Sequence, residues 1–255
     1  GISIPSSVDP VTGDAFHSPA LGWKNVPIRK IISDAFQKKV VIENDVNCGA
    51  IAEHKIGAAK NFSNVVAYFV GTGLGGGIII NNKLYKGTRG LAGELGHETV
   101  EYNGRKCGCG KRGCIEAYCS KTAFGKRFAK HARKDKRIRK KLSSYFGDDF
   151  NNISSSQLLQ AWNDGDKTVE EIITEGFEML GVAAANMVTV LDPQCIVFGG
   201  GVVEALGQTI MDPIDKTFRD NLFGAKPSDI YLAISVLGDD AVPIGAALNA
   251  LQPEN

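Results

Sequence analysis

The sequence has almost no net charge: 29 Lys and Arg stand against 28 Asp and Glu, a formal +1 over 255 residues. So even a balance carries no field that would gather nucleic acid, and it gives no electrostatic reason for membrane attachment. No apolar run reaches bilayer length. The opening residues, Gly1-Ile2-Ser3-Ile4-Pro5, lack the basic start and long apolar core of a secretory signal. They also lack a Met and read as mid-strand, so residues upstream of Gly1 are expected to be missing. Cysteine is scarce outside one loop. Of six, Cys107, Cys109 and Cys114 crowd together, whereas Cys48, Cys119 and Cys195 fall in helix-like or strand-like patterns. A secreted disulfide framework would spread them differently, so a reducing compartment, the cytoplasm, is expected. Long linkers, low-complexity tracts and solenoid-like repeats are also lacking.

What is present is an alternation of strand-like and helix-like segments, which argues for an α/β fold of one large or two medium domains. Ile2 to Val8 reads as one strand ending at Asp9-Pro10, Ile28 to Phe36 as a helix started by Pro27, and Val40 to Ile42 as a short buried strand. Asp45 to Ile56 reads as a helix rich in small residues. Val65 to Val70 is a buried strand whose hairpin partner is Ile78-Ile79-Ile80. From Ala117 to Leu191 the pattern is mostly helical and is longest over Val169–Leu191. Cys195 to Phe198 is a strand. A helical region from Val203 to Phe218, broken near Pro213, a strand from Ile230 to Val236 and a closing helix from Pro243 to Leu251 follow. The one strongly basic stretch, Lys126 to Lys141, reads as solvated helical surface. Phe128 is its only Phe, Tyr or Trp, which disfavours a nucleic-acid patch.

The sharpest local signal is His97, Cys107, Cys109 and Cys114, spaced H-x9-C-x-C-x4-C with glycines between the thiols. Cys3His is a standard tetrahedral zinc set, and with four protein ligands the metal is structural rather than catalytic. Free thiols this close together would be prone to oxidation. Two glycine-rich turns come next. Gly71-Thr72-Gly73-Leu74-Gly75-Gly76-Gly77 follows a buried strand and could let backbone N–H groups approach a phosphate. It is not a Walker loop, because no Gly-Lys-Ser/Thr follows, and the strand after it argues against a dinucleotide fingerprint. Gly199-Gly200-Gly201 lies between a strand and a helix, where α/β folds place nucleotides. At the strand-to-helix junction Glu43-Asn44-Asp45, one of Asn44 and Asp45 could simply cap the helix. The functional alternative is that Asp45 accepts the proton of an attacking hydroxyl while Asn44 orients the substrate. Glu94 and His97 offer further polar groups suited to a polyhydroxyl ligand.

Together Asn44-Asp45, the Gly71–Gly77 run, Ala92-Gly93-Glu94-Leu95-Gly96-His97 and the run from Cys107 to Glu116 resemble the ROK family of sugar kinases and sugar-responsive repressors. The resemblance extends to Trp23-Lys-Asn-Val-Pro27, Leu191 to Gly201 and Gly245-Ala246-Ala247. It implies an actin-like ATPase (ribonuclease H-like) two-lobe fold. Residues 1–57 plus 241–255 would form the remainder of the smaller lobe, and 58–240 the larger lobe with the zinc loop. It implies ATP-dependent phosphorylation of a hexose or N-acetylhexosamine, with Asp45 as general base and Asn44, Glu94, His97 and Glu116 on the sugar. Gly71, Thr72 and Gly73 would approach the ATP phosphates, and Gly199 and Gly200 the adenosine side. His97, Cys107, Cys109 and Cys114 would hold zinc, with Mg2+ accompanying ATP, and a homodimer is expected. Two departures stand out. The family's N-terminal Asp-x-Gly-Gly-Thr loop is absent, and Pro5-Ser6-Ser7-Val8-Asp9 stands where kinases often have Pro-Gly shortly before Val-Asp. The alternative is the sugar-sensing core of a ROK-type repressor whose DNA-binding region lies upstream. Such repressors tend to lose the ATP turn and the catalytic Asp, both of which this chain retains.

Overall fold

The computed structural model describes residues 1–18 and 21–251; the end of the expected smaller lobe, 252–255, lies outside the described residues, as do 19–20. The chain runs β1 (Ile2–Ile4), β2 (Ser7–Val8), β3 (Ala15–Ser18), β4 (Trp23–Val26), α1 (Ile28–Phe36), β5 (Ile42–Asn44) and α2 (Asp45–Lys55). Then come β6 (Val65–Val70), β7 (Leu74–Ile80), β8 (Lys83–Leu84), α3 (Lys121–Lys134), α4 (Lys136–Phe146), α5 (Ser155–Asn163) and α6 (Lys167–Leu191). It ends with β9 (Cys195–Gly199), α7 (Gly201–Leu206), α8 (Met211–Asp220), β10 (Tyr231–Ile234) and α9 (Ala241–Ala250).

The main sheet has the order β10-β9-β6-β7-β8. β10, β9 and β6 are parallel, while β7 folds back antiparallel on β6. The run expected as one strand from Ile2 to Val8 is divided. β1 pairs in parallel with β5, and β2 pairs with β3 in a separate antiparallel sheet. Pro5, which has no N–H to give a ladder, stands where the chain changes sheets. The break expected near Pro213 falls earlier, at the 3-10 turn Gly207–Ile210. Pro213 instead occupies the first turn of α8, where its missing N–H leaves no helical bond unmade. The basic stretch also divides: Asp135 ends α3 and caps α4, its carboxylate accepting from Arg137 N at 2.7 Å.

One core lies between the main sheet and the helices of the second half, where Phe124, Phe128, Phe177, Phe198 and Leu180 are fully buried. The core on the sheet's other face combines Val65, Ile79 and Val197 with small residues, among them Ala50, Ala59, Ala67 and Cys195. Small side chains let α2 lie close to β7, and Gly75, Gly76 and Gly77, expected in the turn, are strand residues of β7. A Cβ added at Gly77 would stand 2.5 Å from the Ala50 methyl, and one at Gly76 would stand 2.4 Å from Leu95 Cδ1. The glycine run therefore brings α2 against one face of β7 and the His97 segment against the other. α2 in turn packs along α9, which also touches β1.

Candidate active site

A cleft of about 980 Å3 opens where β6, β9 and α2 present their ends. Asp45, Gly71, Thr72, Gly73, Glu116 and Gly200 line it. Gly71 follows β6 and Gly200 follows β9, so both turns stand at the carboxyl ends of parallel strands, where α/β proteins bind ligands. Gly200 has φ +86, and an added Cβ would lie 2.7 Å from Val70 O, so this turn accepts only glycine without strain. Gly199 is buried against Phe69 and Ser235 and does not line the cleft; it supports Gly200 from beneath.

Asp45 is the first residue of α2. Asn44 caps the helix, its side-chain oxygen accepting from Val46 N at 2.9 Å and Asn47 N at 3.0 Å. The capping reading of Asn44 is thus realised, and its Nδ2 donates to Ser6 O at 3.3 Å. Asp45 Oδ1 also accepts from Val46 N at 2.9 Å. Burial pushes the Asp45 carboxyl above its ordinary range, hydrogen bonds from Val46 and Asn44 pull against this, and the nearby charge of Glu94 adds to the rise. Below the helix start, buried Glu43 accepts from Asn47 Nδ2 at 2.9 Å and pairs with Lys86 Nζ at 2.6 Å. That pair ties the Asp45 junction to the segment leading to Glu94. Glu94 itself is exposed and accepts from Ser7 Oγ at 3.1 Å.

Glu116 joins the metal loop to the glycine turn. Its Oε2 accepts from Leu74 N at 3.1 Å, and Cys107 Sγ lies 3.5 Å from its Oε1. Gly73 leaves room for this, since an added Cβ would stand 2.6 Å from Glu116 Oε2. The ligand atoms of His97, Cys107, Cys109 and Cys114 all lie within 4.8 Å of one another. Cys109 Sγ and Cys114 Sγ are 3.7 Å apart, and Cys107 Sγ is 3.8 Å from His97 Nδ1. A zinc tetrahedron with bonds of about 2.3 Å to sulfur has edges of roughly 3.8 Å, so the donor set fits that ion with Nδ1 as the imidazole ligand. Nε2 of His97 is left for another partner.

Sequence reasoning did not find the cleft's basic side. Arg105, Lys106, Lys126, Arg127 and Lys130 line it, three of them in the stretch read as solvated surface. The signal was the start of α3 beside the glycine turn. Lys121 N donates to Gly71 O at 3.0 Å, and Thr122 donates to Thr72 O through N at 3.2 Å and Oγ1 at 2.8 Å. Buried Glu53 was also passed over. It accepts from Ser235 Oγ at 2.6 Å, Val236 N at 3.1 Å, Leu237 N at 3.0 Å and Ala58 N at 2.7 Å.

The five-stranded mixed sheet with helices around it and a cleft at its strand ends belongs to the actin-like ATPase fold, shared with a ROK hexokinase from Thermus thermophilus at a TM-score of 0.81 and 30% identity, covering 97% of this chain and 76% of that one. The family model described as "ROK family" matches residues 1–252, and the chain belongs to that family. It is 30% identical to a glucokinase of Halalkalibacterium halodurans over the whole of this chain and 76% of that protein. It is 31% identical to a xylose repressor of Caldicellulosiruptor bescii over 96% of this chain, and it spans only 60% of that repressor's length. The crystal structure of a ROK family glucokinase from Streptomyces griseus in complex with glucose and AMPPNP superposes with a TM-score of 0.85 at 32% identity, covering 98% of this chain and 80% of that one. Relatives of this chain thus include both sugar kinases and regulators. Among the described residues no helix is long and apolar enough to cross a membrane.

Proposed function

We propose that the protein is an ATP-dependent kinase acting on a hydroxyl of a hexose or N-acetylhexosamine. The observation that carries this reading is that Asp45 shares one cleft with Gly71, Thr72, Gly73 and Gly200. Phosphoryl transfer needs positioning and charge stabilisation more than covalent chemistry, with a carboxylate to receive the hydroxyl proton. In this role Asp45 takes that proton, and burial makes it a stronger base than a solvated aspartate. Asn44, Glu94, His97 and Glu116 hold the sugar hydroxyls. The Gly71–Gly73 turn meets the phosphates, and Gly200, carried on buried Gly199, meets the adenosine side. His97, Cys107, Cys109 and Cys114 hold zinc, which supplies rigidity to the loop carrying Glu116, and Mg2+ arrives with the nucleotide as its counter-ion. The likeness to a glucokinase solved with glucose and AMPPNP supports both substrates.

The smaller lobe is assigned to 1–57 plus 241–255 and the larger to 58–240, in keeping with the packing of α9 on α2 and β1. A homodimer in the cytoplasm completes the reading. The second reading, the sugar-sensing core of a repressor, is favoured by the likeness to the xylose repressor. Retention of Asp45 beside the Gly-Thr-Gly turn weighs against it. The test is Asp45→Asn in an ADP-release assay over a hexose panel. The substitution is nearly isosteric and keeps an oxygen for Val46 N. Turnover is expected to fall about 10²–10⁴-fold with sugar affinity retained. Normal turnover in the variant would remove Asp45 as the base. A parent protein that binds sugar and consumes no ATP would favour the repressor reading.

A further inference from the structure

Glu43 is an acid buried beneath the candidate base, on β5 and two residues before Asp45. Its Oε1 accepts from Asn44 N at 3.0 Å and from Asn47 Nδ2 at 2.9 Å. One oxygen thus grips both the residue that caps α2 and a residue of the first turn. Its Oε2 lies 2.6 Å from Lys86 Nζ and accepts no hydrogen bond from any other described residue. A buried carboxylate is stable only when paired, and a half-buried lysine supplies the partner here. The same charges reach Cys48, three residues after Asp45. Burial pushes its thiol up to about 12, Glu43 and Asp45 add to the rise, and Lys86 pulls against it.

The origin of the partner matters more than its charge. Lys86 opens the loop that ends at Glu94, and Ala92 N donates to Lys86 O at 3.2 Å, which closes the loop on itself. In the middle of the loop Gly90, at φ +68, approaches β2 so closely that an added Cβ would stand 2.2 Å from Val8 O. At its end Glu94 accepts from Ser7 Oγ at 3.1 Å. Gly90 and Glu94 therefore fasten the loop to β2, whereas Lys86 fastens it to the start of α2. The lysine that neutralises Glu43 belongs to the same loop as Glu94, so the ion pair joins the aspartate's helix to the segment that carries the other acid. In the low dielectric of a buried site such a pair resists separation, and removing one partner strands the other.

We propose that Lys86 is a positioning residue for phosphoryl transfer: through Glu43 it holds Asp45, at the start of α2, in register with the loop that carries Glu94. This rests on the kinase reading above. The experiment measures kcat and KM by ADP release, with glucose, mannose, N-acetylglucosamine and N-acetylmannosamine as the panel, and records a thermal melt of each protein. It compares the parent, Lys86→Met, Lys86→Arg, Glu43→Gln/Lys86→Met, and Lys83→Met, an exposed position on β8. A misplacement of about 1 Å costs up to about 10²-fold in rate, so kcat of Lys86→Met is expected to fall about 10–100-fold, with a smaller change in sugar KM. Arginine reaches the same carboxylate and recovers most of kcat, and Lys83→Met matches the parent. The double variant removes the buried charge together with its partner and keeps an oxygen for Asn44 N and Asn47 Nδ2. It is expected to melt near the parent and still to turn over slowly, and it decides the matter if Lys86→Met does not fold. Parent-like kcat in Lys86→Met, or a loss confined to KM, overturns the proposal. Full recovery of kcat in the double variant also overturns it, because Lys86 is then only a counter-charge. These results leave the kinase reading intact, whereas a parent that turns over no sugar of the panel removes that reading and the proposal with it.

Discussion

Glu53 offers a demanding test of how the cleft is held open. It is wholly buried on α2, the helix that begins at Asp45, and its carboxylate takes four donors. Three of them, Ser235 Oγ, Val236 N and Leu237 N, come from the segment after β10 and converge on one oxygen. Glu53→Ala leaves all four donors without their acceptor. Hydrogen bonds to a charged group contribute about 1.5–3 kcal/mol each, but water entering the vacated space recovers part of that. The net loss is expected at about 3–5 kcal/mol, within the range of buried-network deletions. For a chain of this size that corresponds to a fall in Tm of roughly 6–20 °C. Glu53→Gln separates the chemistry from the volume. Its single oxygen can keep the three donors from the β10 side, while its amide faces Ala58 N–H, donor against donor, at a cost of about 1–3 kcal/mol. Thermal and urea melts should therefore rank parent above Gln above Ala. An alanine variant within about 1 kcal/mol of the parent, or one more stable than the glutamine variant, would refute the reasoning.

On the proposed role of Asp45 as the base, the carboxylate is the active form, so kcat/KM should fall as pH drops through its raised pKa, placing the acidic limb above the ordinary aspartate value of 3.8. Glu94→Gln removes a charge that disfavours ionisation and should move that limb down, even if it also changes the sugar KM; a limb at the ordinary value in the parent refutes the burial argument. Metal analysis should find about one zinc per chain, and chelation should loosen sugar binding by freeing the Glu116 loop. Tight sugar binding by the metal-free protein would show that the loop does not depend on its ion.

Local patterns were legible wherever one element satisfied its own needs. The Asp45 helix is announced by Asn44, a capping residue, and by a run of small residues. The cluster of His97, Cys107, Cys109 and Cys114 is announced by its spacing, because the four donors are brought together within one loop. The misreadings came where a distant partner decided the outcome. Ile2 to Val8 is apolar enough for one strand, yet its two halves pair with different sheets, and that choice is made by β5 and β3. Gly75-Gly76-Gly77 looks like turn chemistry, but the glycines lie within β7 because Val46, Leu95 and Ala50 occupy the space that side chains would need. Lys126 and Lys130 look like any solvated helix face until α3 is docked on the Gly71–Thr72 backbone.

By itself the sequence determined the alternation of elements, the cluster of one His and three Cys donors, the two glycine turns and the aspartate at a helix start. Each of these rests on residue type and short spacing, which hydrogen bonding and coordination geometry convert directly into local structure. Only the tertiary structure decided which of these features share a cleft, that Glu116 bridges the cysteine loop to the glycine turn, and that Lys126, Arg127 and Lys130 of α3 line the same cleft. Those relations join residues tens of positions apart, and the packing of α2, β7 and α3 around the sheet ends sets their distances.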